Sequence, residues 1–345
     1  MIIERISIAD ATAWDAFVDA SPAGTFFHRY GWGRAIADGL GHEQVYLAAR
    51  SGGRIVGVLP LIHKRSLLFK NALISVAFGS YGGAATEMPE AAVALEVEAV
   101  RFGEVLGVDY VELRDLEPPL AGIGDWAVVN SVYVTFLRKL YGSDEETLRS
   151  IPRKGRRYEV RKSLKGELTF VTGGDFDAFY DVLAQSYRNL GTPIFGRRYL
   201  LALLEQFPKH FEICVAAKGG AAISATMAFR YKGAIHPYYT GGTLAARKLS
   251  ANDFLFFNLM RHGHENGCDT FDFGRSKVGT GSFDYKRYWG FEPRPLAYRY
   301  KLLRINEPPS INPLNPKYRL FIEAWKRLPV PVANFVGPFL SRQIG

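Results

Sequence analysis

The sequence contains little cysteine. Its 345 residues include only Cys214 and Cys268, which are too few for a disulfide framework and too scattered for a zinc cluster. Because stable disulfides belong to oxidising compartments, this scarcity favours the reducing cytoplasm. His262 and His264 stand two residues apart on a predicted helix and therefore point in different directions. We accordingly expect no metal site.

Long apolar runs are also absent. No stretch of about 18 uninterrupted apolar residues occurs, which predicts that no helix spans a bilayer. Residues 1–5 lack the basic flank and apolar run of a secretory signal. We therefore expect a cytoplasmic protein whose only membrane contact, if it has one, is peripheral and at the inner face of the cytoplasmic membrane.

The length and composition indicate a globular protein with two domains. A chain of 345 residues exceeds the usual size of one core. Its hydrophobic content of 48% and charged content of 22% are those of folded proteins. The net charge of +9 favours a polyanionic partner, such as nucleic acid, a phosphate-bearing substrate or an anionic membrane face. A modestly basic surface without such a partner is the alternative.

Two segments of the chain share one pattern. Residues 45–61 and 213–229 each predict a strand, a turn with a glycine pair and a second strand. Two predicted helices precede each hairpin, at 13–20 and 32–40 in the first half and at 176–189 and 198–207 in the second. This repetition indicates an internal duplication. We predict a first domain at 1–148, a basic linker helix at 149–166, a second domain at 167–305 and a proline-rich amphipathic tail at 306–345.

Basic residues are concentrated between the two halves. Segment 149–165 contains eight arginines and lysines but one acid, Glu159. Such a helix suits the backbone of a tRNA or the diphosphate of a lipid-linked sugar; a merely solvated helix is the alternative. The candidate contacts in this segment are Arg153, Lys154, Arg157 and Arg161.

A second basic group flanks the predicted loop at 191–193. Arg188, Arg197 and Arg198 lie at the ends of two predicted helices there. Arginines in this position can bind a phosphate through paired hydrogen bonds. A solvated helix end is the alternative interpretation.

The tail combines prolines, apolar residues and positive charge. Pro308, Pro309, Pro313 and Pro316 predict a linker, and a short helix is expected at 317–328. The following stretch is apolar and aromatic, while Lys317, Arg319, Lys326, Arg327 and Arg342 add charge. This mixture suits the plane of an anionic membrane interface. It equally suits packing against the body of the protein.

Several short motifs, taken together, resemble those of one family. They are Tyr81-Gly82-Gly83 in the first half, residues 151–162 (IPRKGRRYEVRK), 238–242 (YYTGG), 272–276 (DFGRS) and 281–291 (GSFDYKRYWGF). Over roughly residues 5–300 the chain resembles the FemAB transferases. With its tail, it is most similar to the FemAB-related proteins found beside exosortase and exopolysaccharide systems.

This resemblance implies an α/β (α+β) fold of two tandem GNAT (acyl-CoA N-acyltransferase-like) domains, with mixed, largely antiparallel sheets flanked by helices. Well-known members transfer an amino acid from aminoacyl-tRNA to an amine of a peptidoglycan precursor. A related branch is assigned acyl-CoA-like chemistry on polysaccharides. The phosphate-binding lysine of the family's first domain has no counterpart here, because Ile36 stands near its expected place. This departure weighs against a peptidoglycan substrate.

Acyl transfer needs a positioned nucleophile, removal of its proton and stabilisation of an oxyanion. Lys286 follows a glycine-rich loop and, with Tyr285, resembles the family's aromatic–lysine pair; we expect it to stabilise the oxyanion, with a surface lysine as the alternative. For Asp272 three roles are open: it orients a hydrogen-bond donor, it acts as a base, or it caps a loop at the end of a strand. Tyr238 and Tyr239 alternate along a predicted strand, so only one faces the cleft; we favour Tyr239. The candidate substrate-binding residues of this half are Tyr238, Asn252, Arg275, Ser276 and Tyr285.

No tightly bound cofactor is expected, and the donor is aminoacyl-tRNA or acyl-CoA. Acetyl-CoA enzymes of this fold usually hold the pyrophosphate in a glycine-rich turn at a helix start, but residues 247–252 read RKLSAN. The predicted reaction is N-acyl or aminoacyl transfer to a phosphate-bearing glycan or lipid-linked precursor of the cell envelope. Two alternatives are an acyl-CoA-dependent acyltransferase for an exopolysaccharide and a non-enzymatic basic scaffold or anion receptor at the membrane.

Overall fold

The computed structural model describes residues 1–66, 68–117, 124–309 and 316–344, without the side chains of 316–318. The helices and strands of the first half are β1 (Ile2–Arg5), α1 (Ala11–Ala20), α2 (Tyr30–Leu40), β2 (Glu43–Ser51), β3 (Arg54–Lys64), β4 (Ala72–Ser75), β5 (Ala85–Thr86), α3 (Pro89–Leu106), β6 (Tyr110–Asp115), β7 (Ala127–Val129), β8 (Tyr133–Thr135), β9 (Leu137–Lys139), α4 (Asp144–Ser150) and α5 (Arg157–Leu164).

The second half begins at β10 and ends with two helices of the tail. Its elements are β10 (Thr169–Thr172), α6 (Phe176–Leu190), α7 (Arg197–Gln206), β11 (Phe211–Lys218), β12 (Ala221–Tyr231), β13 (Ala234–Gly242), α8 (Leu244–Leu249), α9 (Ala251–Glu265), β14 (Thr270–Asp272), β15 (Ser276–Lys277), α10 (Gly281–Tyr288), β16 (Arg294–Pro295), β17 (Ala297–Leu302), α11 (Pro316–Lys326) and α12 (Val330–Ser341).

The strands form two large mixed sheets and one small sheet. The first sheet has the order β1-β2-β3-β4-β6-β17-β7, with β5 also beside β3, and the second has the order β10-β11-β12-β13-β14-β9. The small sheet is β15-β8-β16. Among the described pairs, β4 with β6 and β13 with β14 are parallel and the others are antiparallel. The predicted mixed, largely antiparallel sheets are confirmed.

The two large sheets have corresponding strand orders. Each continues from an antiparallel edge strand through a long hairpin to one parallel pair, β4 with β6 in the first and β13 with β14 in the second. Two helices precede the hairpin in both halves, α1 and α2 in one and α6 and α7 in the other. These matching topologies are those of duplicated modules, as the sequence pattern predicts.

Each large sheet is completed by a strand from beyond its own module. Strand β9, before the second module in sequence, pairs with β14 in the second sheet. Strand β17, after that module, pairs with β6 in the first sheet. The strand β9 therefore comes from the predicted first domain, 1–148, and β17 from the predicted second, 167–305. The chain crosses between the sheets on either side of the second module.

The halves share one aromatic core. Phe26 stacks on Phe229 across the interface, with ring centroids 4.1 Å apart, and its ring also meets that of Phe207 at 4.6 Å. Trp32 and Tyr238 contact each other edge to face in the same core. Burial of such large rings contributes much of the apolar stabilisation of a core. This shared core contains many of the aromatic residues that make up 14% of the sequence.

The basic segment at 149–166 is not one helix: residues 149 and 150 end α4, and α5 covers Arg157–Leu164. Pro152 and Gly155 lie in the turn between α4 and α5, where the chain reverses against the end of α10. Gly155 approaches the carbonyl oxygen of Tyr288 so closely that a Cβ would not fit. Pro152 cannot continue a helical hydrogen-bond ladder either. The segment is therefore the end of one helix, a turn at residues 151–156 and a second short helix.

The tail packs onto the body through α11 and α12. Arg188 Nη1 donates a hydrogen bond to the carbonyl oxygen of Lys326 at 3.2 Å. His42 Nε2 lies 2.8 Å from the carbonyl oxygen of Arg342. Helix α12 is absent from the sequence prediction because prolines surround it; Pro331 is tolerated in its first turn. Pro313 and the side chains of Pro316 and Lys317 lie outside the described residues. In the described part of the chain, no helix is both long and apolar enough to cross a bilayer.

Candidate active site

A cavity of about 800 Å³ opens at the carboxyl ends of β13 and β14. These parallel strands pair only at Ala234 with Thr270 and at Ile235 with Phe271, and then diverge. The gap between them holds a cleft, as is common where strands separate at their carboxyl ends. The loop between α6 and α7, the start of α9 and the helix α10 supply the other walls. Phe78 and Ser80 close it from the first half.

A β-bulge shapes the wall formed by β13. Met227 on β12 pairs with Tyr239, but Ala228 pairs with Pro237, so Tyr238 is an extra residue. A bulge interrupts the alternation of side chains. Both tyrosines consequently line the cavity, and the prediction that only one of them faces it is wrong. The Tyr238 hydroxyl donates to the carbonyl oxygen of Phe78, while that of Tyr239 donates to the Tyr199 hydroxyl at 3.2 Å.

Lys286 lies on α10 with its side chain directed inward and only 8% exposed. Its Nζ donates to the carbonyl oxygens of Gly274 at 2.9 Å and Arg275 at 3.1 Å. A protonated amine has three donors, so one N–H remains after these two bonds. Burial lowers the pKa of Lys286 to about 7, against the opposing attraction of Asp272. The alternative of a surface lysine is therefore excluded.

Asp272 lies at the end of β14 and is 1% exposed. Its Oδ1 accepts hydrogen bonds from the Gly274 backbone at 2.7 Å and from Thr135 Oγ1 at 3.3 Å. Its Oδ2 accepts one from the Tyr81 hydroxyl and lies 3.2 Å from His236 Nδ1. The carboxylate is thus fully surrounded by donors, which favours positioning of a neighbour over direct proton transfer.

His236 is a site residue that is missing from the sequence predictions. It lies on β13, lines the cavity and stacks on Phe229 with ring centroids 4.3 Å apart. Burial lowers its pKa, with Asp272 opposing the shift, so the ring is neutral at pH 7. Nδ1 is the ring nitrogen next to Asp272, and the tautomer with its proton on Nδ1 leaves the lone pair on Nε2. Its place two residues before Tyr238 on one strand is the sequence feature that points to it.

Tyr81, from the first half of the chain, also contacts Asp272. It belongs to the Tyr81-Gly82-Gly83 motif, on the loop after β4. Two non-glycine residues of that loop, Val76 and Phe78, adopt left-handed conformations with φ of 40° and 62°. Such strained backbone persists where the surrounding structure holds it, often beside functional sites. The motif is visible in the sequence, but the partner of its tyrosine is 191 residues away.

The family model of the acetyltransferase (GNAT) domain matches residues 146–287. This stretch is similar to GNAT domains over its whole length. The match supports the predicted enzyme class, an acyltransferase. It includes β13, β14 and most of α10, and with them His236, Asp272 and Lys286. Comparison with curated protein sequences finds no match.

Solved structures extend this likeness to the whole chain. FemX has a TM-score of 0.67 at 14% identity, over 93% of this chain and 100% of its own. L-PGS from Bacillus licheniformis has a TM-score of 0.54 at 17% identity, over 100% and 99%. A tandem GNAT protein from the clavulanic acid biosynthesis pathway has a TM-score of 0.54 at 11% identity, over 89% and 99%. The predicted fold of two tandem GNAT-like domains is confirmed.

Three predicted binding residues lie in the cavity wall with defined partners. Asn252, at the start of α9, accepts a hydrogen bond from Ser224 Oγ at 2.6 Å. Tyr285 presents its ring to the cavity and donates to Asp253 Oδ1 at 3.0 Å. Arg275 Nη1 donates to the Tyr298 hydroxyl at 2.8 Å. These contacts hold the wall of the GNAT domain in a fixed shape.

Ser276 lies just behind that wall. It is 5% exposed, and its Oγ is 2.9 Å from that of Ser282, which lines the cavity. The predicted binding role of Ser276 therefore becomes an indirect one in this geometry.

The predicted basic contacts lie outside the cavity wall. Arg153, Lys154 and Arg161 are exposed. Arg157 instead donates at 2.6 Å to the carbonyl oxygens of Arg149 and Ile151, so its guanidinium caps α4.

The arginines near the α6–α7 loop also serve other contacts. Arg188 supports the carbonyl end of α11, and Arg197 pairs with Asp177 and covers the ring of Tyr180 at 4.8 Å. Arg198 lies in a separate groove with Phe339 of the tail. A phosphate clasp formed by the three arginines together is not observed.

Proposed function

We propose that the chain transfers an acyl or aminoacyl group to an amine or hydroxyl of a phosphate-bearing glycan or lipid-linked precursor of the cell envelope. One observation carries the reaction type. A buried lysine with an uncommitted N–H shares a cavity with a neutral histidine backed by a carboxylate. These groups supply two of the needs of acyl transfer, oxyanion stabilisation and proton removal.

His236 acts as the general base in this proposal. The acceptor attacks the acyl carbonyl, and the new C–N or C–O bond forms while the bond to the leaving oxygen or sulfur breaks. His236 Nε2 takes the proton of the attacking group and returns it to the leaving atom. Asp272 holds the ring in the required tautomer and stabilises the transient imidazolium. This assigns Asp272 a positioning role rather than that of the base.

Lys286 stabilises the oxyanion. Its remaining N–H binds the carbonyl oxygen, whose negative charge grows as the bond forms. Because the amine is buried, this interaction is stronger than it would be in water. The developing anion also raises the pKa of Lys286 above its resting value near 7. Tyr238 and Tyr239 form the wall beside the reacting group and interact with substrate through their rings.

Aminoacyl-tRNA is the donor that we favour, with acyl-CoA as the alternative. The turn at 247–252 has no glycine, and Asn252 occupies the start of α9. The basic segment is linked to the cavity wall, because Arg156 Nε and the Tyr285 hydroxyl both bind Asp253 Oδ1, at 2.8 and 3.0 Å. A polyanion on Arg153, Lys154 and Arg161 would thus lie next to the reaction chamber.

Two neighbours support an envelope acceptor. FemX gives the higher TM-score, and the resemblance of the motifs links that family to peptidoglycan precursors. The C-terminal domain of a putative lysylphosphatidylglycerol synthetase from Agrobacterium fabrum has a TM-score of 0.57 at 14% identity, over 86% of this chain and 92% of its own. Its name describes aminoacylation of a lipid headgroup. The synthetase's name points to amino-acid transfer to an envelope component, and for FemX this link comes only from the resemblance of the motifs.

The test is transfer of label from charged tRNA or acyl-CoA to an envelope glycolipid fraction by the purified chain. We expect Lys286→Met to reduce the rate by about 100-fold or more, the usual cost of losing an oxyanion donor. His236→Gln is expected to lose about 100-fold, through loss of general-base catalysis. Lys218→Met, on an exposed lysine paired with Glu167, is the matched control and should keep the rate.

The outcomes separate the alternatives. Transfer from acyl-CoA but not from charged tRNA would identify the chain as a CoA-dependent acyltransferase. A full rate in Lys286→Met would contradict the proposed mechanism. If both site variants support growth normally while Arg153→Glu with Arg161→Glu abolishes the cellular function, the chain is a scaffold or anion receptor. Arg156 is unsuitable for that reversal because it pairs with the buried Asp253.

A further inference from the structure

Helix α12 presents its large apolar residues to solvent and its small residues to the protein. Ala333, Gly337 and Ser341 recur every four residues and are buried. Phe335 and Phe339 lie on the outer face and are 75% and 61% exposed. Their rings meet at 6.3 Å. This is the reverse of the usual amphipathic arrangement.

The inner face is small because it packs closely. A Cβ on Gly337 would lie 3.0 Å from backbone and side-chain atoms of Ile194, and Pro338 lies against Gly196. Both glycine contacts involve the α6–α7 loop, which lines the cavity. The helix is therefore firmly seated, and its exposed rings do not result from poor packing.

An apolar face continues from α12 to the mouth of the cavity. We define the C-terminal apolar patch as Val332, Phe335, Phe339, Ile344 and Leu190, all exposed. Leu190 and Ile344 also line the cavity. Helix α12 itself contains no charged residue. Large apolar side chains that are exposed side by side, as Phe335 and Phe339 are, mark a binding surface rather than an ordinary solvent-facing helix.

Positive charge accompanies this patch. Residues 316–345 contain five basic residues and one acid, and the acid, Glu323, is paired with Lys326. Arg319 on α11 and Arg327, the residue that follows this helix, are exposed. Helix α11 packs on α6 together with α12. An apolar face beside unbalanced positive charge matches the interface of an anionic bilayer, where acyl chains lie below phosphate headgroups.

We propose that the C-terminal apolar patch docks the protein on an anionic lipid surface, with α12 in the plane of the interface. Phe335 and Phe339 enter the acyl-chain boundary while Arg319 and Arg327 meet the headgroups. Leu190 and Ile344 then place the cavity mouth at headgroup level, so that a lipid-linked acceptor reaches Lys286 without leaving the bilayer. This docking goes beyond the proposed transfer reaction and does not depend on it.

The test is sedimentation of the full chain with vesicles of phosphatidylcholine containing about 30% phosphatidylglycerol, a fraction within the anionic range of such membranes. We expect Phe335→Ser with Phe339→Ser to weaken binding by about tenfold or more, because two large apolar side chains are lost from the interface. The matched control is Val97→Ser with Val105→Ser, which changes two exposed residues on α3. This control should bind like the parent chain.

Further measurements make the result decisive. Vesicles of pure phosphatidylcholine should bind more weakly, and Arg319→Glu with Arg327→Glu should remove the preference for anionic vesicles. Equal vesicle binding by the phenylalanine double variant and the parent would overturn the proposal. So would a lipid-free dimer, measured by light scattering, that the same variant dissociates. Vesicle binding needs no turnover, so an inactive protein that binds refutes the transfer reaction alone.

Discussion

Lys286 combines a positive charge with nearly complete burial. Two carbonyl oxygens, those of Gly274 and Arg275, replace part of its lost hydration, yet its pKa still falls from 10.5 to about 7. Removing charge from water costs more than these neutral acceptors return. The same desolvation strengthens its attraction for a negative carbonyl oxygen. Burial of Lys286 therefore lowers the stability of the folded protein and, in exchange, strengthens the binding of an oxyanion at this residue.

This exchange predicts a specific dependence of stability on pH. The folded chain releases the Lys286 proton near pH 7, whereas the unfolded chain keeps it until about 10.5. Between these values the unfolded state binds more protons, so the free energy of unfolding rises with pH, by at most about 1.4 kcal/mol per unit. The penalty is fully present below pH 7. Lys286→Met should lack this contribution.

Urea unfolding of the parent chain, Lys286→Met and Lys218→Met at pH 7.5, 8.5 and 9.5 measures the effect. The difference in free energy of unfolding between the parent and Lys286→Met should change steadily over the series, in favour of the parent. The exposed Lys218 has no such role, and its variant should follow the parent. Parallel pH curves for the parent and Lys286→Met would rule out the depressed pKa.

At the scale of elements, helix packing between the halves depends on close approach. Gly39 on α2 lies against the backbone of Tyr199 at the start of α7, and a Cβ there would be 2.8 Å from Tyr199 Cβ and 3.0 Å from its backbone nitrogen. Neither helix can shift without disturbing the shared aromatic core. The interface between the halves therefore has a strict size limit at Gly39.

Gly39→Ala is consequently expected to destabilise the fold by about 1–3 kcal/mol, the usual cost of overpacking. Alanine has the better intrinsic helix propensity, so a loss of stability would isolate the steric clash. Gly142→Ala is the control, because its added Cβ would meet only the end of the His264 side chain at 3.4 Å. Thermal unfolding measures both variants. A Gly39→Ala protein as stable as the parent would show that the helices separate freely.

The elements that local patterns specify could be predicted, and those that depend on distant partners could not. Hairpins with glycine pairs and helices with one apolar face follow from short-range rules, and so do the two modules. The bulge at Tyr238 depends on the register with β12, and the Tyr81–Asp272 contact on how the halves pack. A sequence motif points to Lys286. The sequence does not point to His236 in the same way, because its role depends on contact with the Asp272 carboxylate, 36 residues later in the chain.

At the scale of the whole molecule, the two modules have different roles at one site. In the first module, the gap beyond the parallel pair β4–β6 is filled by the chain itself, since Gly82 bridges to Arg114 and the Arg114 backbone donates to Ser75 Oγ at 2.9 Å. The same loop carries Phe78, Ser80 and Tyr81 to the second module's cavity. The loop after β4 thus fills the cleft of the first module and forms part of the cavity wall in the second module.

The exchanged strands and shared core should make the two modules unfold together. Strand β9 forms one edge of the second sheet, and β17 lies between β6 and β7 in the first, so each sheet loses a strand when the other opens. Two-domain proteins often unfold in separate steps, which makes a single transition a meaningful expectation. Native-state hydrogen exchange in increasing urea should give β3 and β12 the same opening free energy.

A core variant in one module provides the stringent form of this test. Leu95 on α3 is fully buried in a cluster whose members, among the described residues, belong to the first half, apart from Leu303 after β17. Leu95→Ala should cost about 2–5 kcal/mol. If the two modules unfold together, the protection of β12 amides against hydrogen exchange falls by as much as that of β3 amides. This holds although the described cluster around Leu95 contains no residue of the second sheet. Leu259→Ala, in the second module's core, should act reciprocally on β3. Loss of protection confined to the mutated module would mean that the strand exchange leaves the sheets energetically independent, and that the cavity between them can open without global unfolding.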